Sequence, residues 1–477
     1  MAVQRFDNLI GGQWAPADAY SRNINPSDVE DNIGEFASSS NTDMDAAVEA
    51  ARSAFPAWAN ASPQLRHDVL RRVGEIIMRD KEMLGTLLSR EEGKTLAEGI
   101  GETVRASQIF TFFAGEALRL GGEIGPSVRP GVDVMVERQA VGVVGLITPW
   151  NFPIAIPAWK AAPALAFGNC VVLKPAELTP ACSWHLARII KEAGCPDGVF
   201  NLVMGSGKTV GQALVENDRV DGVSFTGSAG VGRQIATNCA ASGKRFQLEM
   251  GGKNPMVILD DADLELAVDV SINGAFFSTG QRCTASSRLI VCEQIHDEFL
   301  ERLVSRASAL RVGNALDQDT QVGPVVSEEQ LNQNLGYLDI ARDEGCEVIG
   351  GERLDGSGHF QRPAVLARAT NDMRSSREEI FGPIASVIRV GGYDEALSVA
   401  NDTDFGLSAG ICTRSLAHAT HFRKHARAGM VMVNLPTAGV DYHVPFGGTK
   451  ASSHGPREQG TYARDFYTTI KTSYITA

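Results

Sequence analysis

From Val141 onward the chain repeats one pattern, a short apolar run, a longer stretch of helical spacing, then another apolar run. The runs are Val141–Ile147, Cys170–Leu173, Val199–Val203 and Gly222–Phe225, rich in β-branched or aromatic residues. They are too short for helices and show little polar alternation, so they fit strands covered on both faces. Strands alternating with helices imply crossover connections and hence a parallel sheet. One of the helices is bounded in the sequence itself. Thr179 stands at its N-cap, Pro180 at the first helical position, Leu186 to Ile190 in the middle and Gly194 just past the end.

A second α/β region starts near Gly252, with Asn254–Leu259 as a strand and Asp263–Val268 as helix, and runs to about residue 445. At 477 residues the chain exceeds one ordinary core, so two or three domains are expected. The first third reads as helices. Thr42 with Asp45 resembles a capping box ahead of Val48, Ala51 and Phe55, and Leu65, Val69, Val73 and Ile76 share a face in the next segment. Two segments stand apart: Asp133–Arg138 and Phe466–Ile475 favour strands that lack an obvious partner nearby. Uncovered strand edges are normally met by another element or chain, and these two read as an oligomerisation arm.

Hydrophobic residues make up 43% and charged residues 21%, a globular balance, and the 49 glycines hint at a backbone that approaches a ligand closely. The net charge of −13 repels phosphate backbones and anionic lipid, so neither nucleic acid nor membrane is an expected partner. No apolar run of signal-peptide or membrane-spanning character occurs, which makes a cytoplasmic location the expectation. The eight cysteines lack C-x-x-C pairs or His-rich spacing, so neither a disulfide framework nor a metal site is expected.

Five segments carry candidate chemistry. Phe225 to Gly232 closes a strand and opens a helix, where free N–H groups bind anions; Gly227 and Gly232 permit close approach and Ser228 can cap the helix or bond a phosphate. The alternative is a plain glycine-rich turn, since the spacing is not G-x-G-x-x-G. Lys174-Pro175-Ala176-Glu177 follows another strand and puts a cation and a carboxylate at the same sheet end, a pair that fits a ribose. Cys283 lies in the polar, glycine-led loop Gly280-Gln281-Arg282-Cys283, whereas Cys292 and Cys412 lie in apolar runs; a lone cysteine is nonetheless more often inert. Glu249, before Gly251 and Gly252, is either an exposed turn residue or a base in a cleft. Pro149-Trp150-Asn151-Phe152-Pro153 stops a strand and fixes one amide side chain, or is only a rigid aromatic turn.

Together these stretches, with Glu378-Glu379-Ile380-Phe381-Gly382-Pro383 and Pro445-Phe446-Gly447-Gly448, resemble the aldehyde dehydrogenase superfamily along essentially the whole chain. The resemblance implies an α/β fold with a Rossmann-like NAD(P)-binding domain (1–125 and 141–251), a catalytic domain (252–447) and a β-strand oligomerisation arm (126–140 and 448–477). It implies Cys283 as nucleophile, Asn151 as oxyanion donor with the Cys283 N–H, and Glu249 as the base that activates water. For NAD+ or NADP+ it implies Trp150, Lys174, Glu177, Gly207, Gly227, Ser228, Glu379 and Phe381, and it implies a homodimer or homotetramer. Glu177 should repel a 2′-phosphate while Lys174 and Lys208 offset that, so use of both cofactors is expected.

A closer resemblance, to the 2,5-dioxopentanoate (α-ketoglutarate semialdehyde) dehydrogenases, lies in Lys174 to Pro180, Pro445 to Lys450 and Phe466 to Thr472. It implies an anionic aldehyde, for which Arg282 beside the nucleophile would hold the carboxylate, with Phe152, Ile156, Trp159 and Pro436 as apolar walls. The alternative for Arg282 is a structural arginine pointing away. Competing functions are oxidation of uncharged aldehydes, acylation of coenzyme A, disfavoured by Glu249, and an inactive homologue, disfavoured by Cys283, Asn151 and Glu249.

Overall fold

The apolar runs after Val141 form the expected parallel sheet. In the computed structural model, which describes residues 4–476, Arg245–Glu249, Gly222–Thr226, Val143–Ile147, Cys170–Lys174 and Phe200–Leu202 lie side by side in that order, all parallel. Antiparallel strands close both edges, Ser453–His454 beyond Arg245–Glu249, and Asn8–Ile10 with Gln13–Ala15 beyond Phe200–Leu202. The central strands are buried along their whole length, as their lack of alternation requires.

The second sheet runs Glu347–Gly350, Ala364–Ala369, Ile384–Val390, Ser286–Cys292, Asn254–Ile258, Ser408–Cys412, Met430–Val433 and is parallel except for its first strand. The helix Leu264–Phe276, capped by Asp263, and the helix Glu293–Ser308 bury Phe276, Phe299 and Leu303 against one face of it. The helix anticipated after Thr179 spans Pro180–Glu192, and Gly194 takes the left-handed conformation at φ 87°.

The expectation that the first third is helical fails before Ser40. Arg5–Phe6, Asp28–Ser38 and Ala19–Asn25 form a sheet of their own, and Asn8–Ile10 and Gln13–Ala15 join the first sheet. These are short or polar strands paired mostly as local hairpins, Asn8–Ile10 with Gln13–Ala15 and Ala19–Asn25 with Asp28–Ser38, and they lack the apolar alternation that marks a strand. The capping box of the first helix, Asn41–Ala59, is Ser40 with Asp43, not Thr42 with Asp45; Asp43 accepts the Ser40 N–H at 2.8 Å. In the next helix, Pro63–Arg79, Val69, Val73 and Ile76 are buried, but Leu65 in its first turn is exposed.

The two outlying strands are partners of each other. Val132–Ala140 pairs antiparallel with Thr468–Thr476, from Val132↔Thr476 to Ala140↔Thr468, with Glu123–Pro126 on the other side. The arm is narrower than the expected 448–477, because Ser453–His454 belongs to the first sheet and Phe466 and Tyr467 are buried in the first core. Ile124, Ile470, Tyr474 and Ile475 stand exposed on this arm.

Candidate active site

Glu249 is the last residue of a strand in the first sheet, and Asn254 is the first residue of a strand in the second. The turn between them therefore joins the carboxyl end of one sheet to the amino end of the other. A Cβ on Gly251 would lie 2.0 Å from Glu379 Oε2, and one on Gly252 would lie 2.6 Å from the Cys283 carbonyl oxygen. A side chain at Gly252 would strike backbone, and one at Gly251 would have to push Glu379 aside. The paired glycines let Glu379 and the cysteine loop approach the backbone, and the Gly252 N–H donates to Glu379 Oε1 at 2.9 Å.

The cysteine loop is held in a strained shape. Ser278, Thr279 and Gly280 have φ of 51°, 57° and 65°, and a Cβ at Gly280 would lie 2.1 Å from the Gly382 carbonyl oxygen. Non-glycine residues in this region cost about 1 kcal/mol each and persist only where neighbours over-determine them. Here Glu98 Oε1 accepts both the N–H and the hydroxyl of Ser278 at 2.9 Å, and Thr279 Oγ1 donates to the Gly323 carbonyl at 3.0 Å. Asn254 Nδ2 donates to the carbonyls of Cys283 and Ala285 at 2.8 and 2.9 Å. Burial pushes the Cys283 thiol up to about 12, Glu379 and Glu249 push the same way, and its own N–H and that of Thr284 oppose them.

Asn151 is buried with its side-chain amide oriented: Nδ2 donates to the Gln281 carbonyl at 3.0 Å, which leaves its second N–H unclaimed by that bond. Lys94 donates to the Asn151 carbonyl and lies 3.9 Å from the centre of the Phe152 ring. Glu102 neutralises Lys94 at 3.0 Å.

Glu249 is 2% exposed. Its Oε2 accepts the Ser453 hydroxyl, and Oε1 lies 2.7 Å from where a Cβ on Gly447 would be. Desolvation and the neighbouring Glu458 raise its carboxyl well above the ordinary range. Behind it runs a buried polar chain: Lys160 Nζ pairs with Glu458 and donates to Ser224 Oγ at 2.8 Å, and Ser224 donates to Gln247 Oε1 at 3.0 Å.

On the other side of the first sheet's carboxyl end lies a groove of about 910 Å³, bounded by Ile147, Glu177, Gly207, Lys208, Val231 and Gln234 among others. The Gly207 N–H faces Glu177 Oε2 at 3.4 Å, and burial lowers Lys174 to about 8. Ser228 opens the helix Ala229–Ala241, its hydroxyl accepting the Val231 N–H at a long 3.4 Å. Gly227 donates its N–H to the Glu249 carbonyl at 3.0 Å, which ties the groove to the carboxylate strand. Trp150 and Phe381 meet edge-on, 5.3 Å between centroids. Thr148 Oγ1 and Thr226 Oγ1, at the ends of two adjacent strands, are buried with no protein partner. A dinucleotide fits this donor set: a carboxylate for ribose hydroxyls, a helix N-terminus and free hydroxyls for phosphates.

Residues 14–473 match the family described as "Aldehyde dehydrogenase family". The chain is 43% identical to an α-ketoglutaric semialdehyde dehydrogenase of Bacillus subtilis, over 98% of this chain and 97% of that one. It is 44% identical to an α-ketoglutarate semialdehyde dehydrogenase of Haloferax volcanii, over 98% of each. The crystal structure of a betaine aldehyde dehydrogenase from Staphylococcus aureus in complex with NAD+ superposes with a TM-score of 0.96 at 35% identity, covering 98% of this chain and 94% of that one. The chain belongs to the aldehyde dehydrogenase family.

In this aldehyde dehydrogenase Cys283, Asn151 and Glu249 come together at the junction of the sheets, Phe152 lies beneath Lys94 on the edge of the first core, and Trp159 meets Phe446. Its ring lies 5.3 Å from that of Phe446, which belongs with Leu407 and Met430 to the apolar cluster on which Cys283 packs. Pro436 sits over Gly274, on a loop held by Thr437 Oγ1 donating to the Thr284 carbonyl at 2.7 Å. Ile156, 1% exposed, packs in the first core. Arg282 departs from the expected carboxylate anchor. Its guanidinium donates to Glu98 at 3.0 Å and to Ser278 Oγ at 3.0 Å, so its fork is committed to bracing the loop, as the structural alternative has it. Sequence reasoning missed Glu98, Lys94, Lys160 and Glu458, which lie far from the motifs along the chain and carry no local signature. Among the described residues no cluster suited to a metal ion occurs and no helix is long and apolar enough to cross a membrane.

Proposed function

We propose that the protein oxidises an aldehyde to a carboxylic acid through a thiohemiacetal and then a thioester on Cys283, with NAD+ or NADP+ as co-substrate. The convergence of Cys283, the oriented Asn151 amide and the buried Glu249 carboxylate carries this reading. The Cys283 thiol releases its proton to solvent, the thiolate adds to the carbonyl carbon, and the alkoxide that forms is stabilised by the free Asn151 N–H and the Cys283 backbone N–H. The bound nicotinamide supplies the acceptor for the hydride that leaves this carbon, and the thioester remains. Glu249 then takes a proton from water, the hydroxide adds to the thioester, and the acid departs as the sulfur regains its electron pair. A carboxylate positioned for hydrolysis favours this over transfer to coenzyme A.

The substrate we propose is a semialdehyde with a distal carboxylate, such as 2,5-dioxopentanoate, supported by the names of the relatives from Bacillus subtilis and Haloferax volcanii. Glu177 holds the adenosine ribose of NAD+, with Lys174 and Lys208 near enough in the chain to tolerate a 2′-phosphate. Two copies or more associate through the exposed arm strand, in a cytoplasmic enzyme. The test is a panel of aldehydes with purified protein, NAD+ or NADP+, and an assay for free acid. Higher kcat/KM for 2,5-dioxopentanoate and succinic semialdehyde than for pentanal supports the substrate class, and equal values refute it. A cofactor preference beyond about a thousandfold, roughly 4 kcal/mol, refutes dual use.

A further inference from the structure

The geometry points to Arg105 as the residue that receives the distal carboxylate of the substrate, an assignment that rests on the semialdehyde reading above and replaces Arg282 in it. Arg105 lies on the helix Leu96–Ala117. Glu98, Glu102, Arg105 and Phe112 follow one another at helical spacing on one face, and this face runs along the active site. Glu98 holds the cysteine loop. Glu102 accepts the N–H groups of Ile154 and Ala155 at 3.2 and 3.1 Å, setting the start of the helix that carries Trp159. Phe112 meets Tyr442 edge-on at 6.1 Å. Between these contacts Arg105 Nη1 donates to the Val440 carbonyl. Val440 and Cys283 pack on the same small apolar cluster of Leu407, Met430 and Phe446, so the guanidinium is anchored on the wall that also carries the thiol.

Among the described residues Arg105 has no counter-ion, as Lys253 and Arg457 have none, whereas three other cations of this region are paired. Lys94 is paired with Glu102 and Glu92, Lys160 with Glu458 and Arg282 with Glu98. Among the described residues no carboxylate lies within 4.0 Å of the Arg105 guanidinium, and its Nε and Nη2 donate to no protein atom. Asp441 and Glu102 act on it only through space, and desolvation pulls it below the ordinary guanidinium range. A half-buried cation without a partner sits in an unfavourable environment that a carboxylate relieves, and the two free edges of a guanidinium suit two carboxylate oxygens. Phe446, in the cluster on which Val440 and Cys283 pack, and Trp159 against it supply an apolar surface for the methylene carbons between aldehyde and acid.

The experiment measures kcat and KM with NAD+ for 2,5-dioxopentanoate, succinic semialdehyde and pentanal in the wild type, Arg105→Leu and Arg105→Lys, with NAD+ binding and thermal midpoint as folding controls. Arg105→Leu is expected to lower the kcat/KM ratio of carboxylated over uncharged aldehyde about 30-fold, chiefly through KM, the size of one lost charge-assisted contact. Arg105→Lys restores part of that ratio, because a cation remains without the fork. Should Arg105→Leu fold poorly, Arg105→Gln, which keeps a donor for Val440, shows the same fall in ratio. A wild type that prefers the carboxylated aldehydes, with variants that lose activity on all three substrates in equal proportion, overturns the assignment and leaves Arg105 as a prop for the Val440 loop, with the semialdehyde reading intact. A wild type that oxidises pentanal as well as 2,5-dioxopentanoate overturns the semialdehyde reading itself, and this assignment with it.

Discussion

Arg282 donates from Nη2 to Glu98 Oε1 at 3.0 Å, and the same carboxylate oxygen accepts the N–H and hydroxyl of Ser278 at 2.9 Å. The pair thus clamps the turn whose positive φ angles aim Cys283, rather than lining a substrate pocket. Both side chains are largely buried, at 15% and 21% exposure. Removing one partner leaves the other charge uncompensated, at a cost of about 3 kcal/mol. Arg282→Met is expected to lower the urea midpoint and to reduce kcat for carboxylated and uncharged aldehydes alike. A selective rise in KM for 2,5-dioxopentanoate would return Arg282 to the role of carboxylate anchor.

Gly251 offers a sharper test of the groove. A methyl group there would meet Glu379 Oε2 at 2.0 Å, far inside van der Waals contact, and Glu379 is held by the adjacent Gly252 N–H. Gly251→Ala must displace that carboxylate, which the family resemblance implies as a contact of the dinucleotide. The expected result is a rise in KM for the dinucleotide of about tenfold, the equivalent of one lost hydrogen bond to a charged group, with the aldehyde KM little changed. Unchanged dinucleotide KM in a folded Gly251→Ala protein would show that Glu379 does not contact the cofactor.

The thiol supplies a pH test. Burial and the carboxylates of Glu379 and Glu249 hold Cys283 up at about 12, so the thiolate fraction near neutral pH is small and grows as pH rises. Alkylation of the free enzyme by iodoacetamide is expected to accelerate steadily through pH 9 without levelling. Glu249→Gln removes one of the repelling charges and should speed alkylation at a fixed pH. The same variant still permits hydride transfer but lacks the base for deacylation, so reduced cofactor should appear as a burst equal to the number of sites before slow turnover. Loss of the burst together with steady turnover would remove Glu249 from hydrolysis. Cys283→Ala should abolish oxidation and retain dinucleotide binding.

What could be read from the sequence was whatever is local. The central strands announce themselves because both faces are buried, and the helix after Thr179 carries its own start and stop. The residues Cys283, Asn151 and Glu249 sit in motifs whose odd composition marks them. The N-terminal strands were not legible, since Asn8–Ile10 and Gln13–Ala15 are only three residues each, too short for an alternation to show, and their place at the sheet edge is set by Leu202 beside Leu9. The same holds for Glu98, 184 residues from Arg282, and for Glu458, 298 residues from Lys160. A charge that is stabilised by a partner so far along the chain looks, in sequence, like any surface charge. For Arg282 the sequence leaves anchor and structural brace both open for this reason: adjacency to the nucleophile says nothing of which way a side chain turns when its counter-ion comes from another helix.

The buried pair of Lys160 and Glu458 makes the last prediction, because the two act on Glu249 with opposite sign. Glu458 raises the Glu249 carboxyl and Lys160 lowers it, with desolvation the largest cause of its elevation. A base works only when deprotonated, so the acid limb of kcat, under conditions where deacylation limits turnover, follows Glu249. Glu458→Gln removes a negative neighbour and leaves the Lys160 ammonium facing Glu249, and both changes favour the carboxylate. The limb should therefore move to lower pH. Lys160→Met removes the attraction and leaves Glu458 unopposed, so the limb should move to higher pH. Since either variant disturbs the same buried ion pair, loss of stability alone would shift both profiles together or neither. Displacement of the two limbs in opposite directions is the signature of electrostatic control of Glu249, and displacement in one common direction would exclude it.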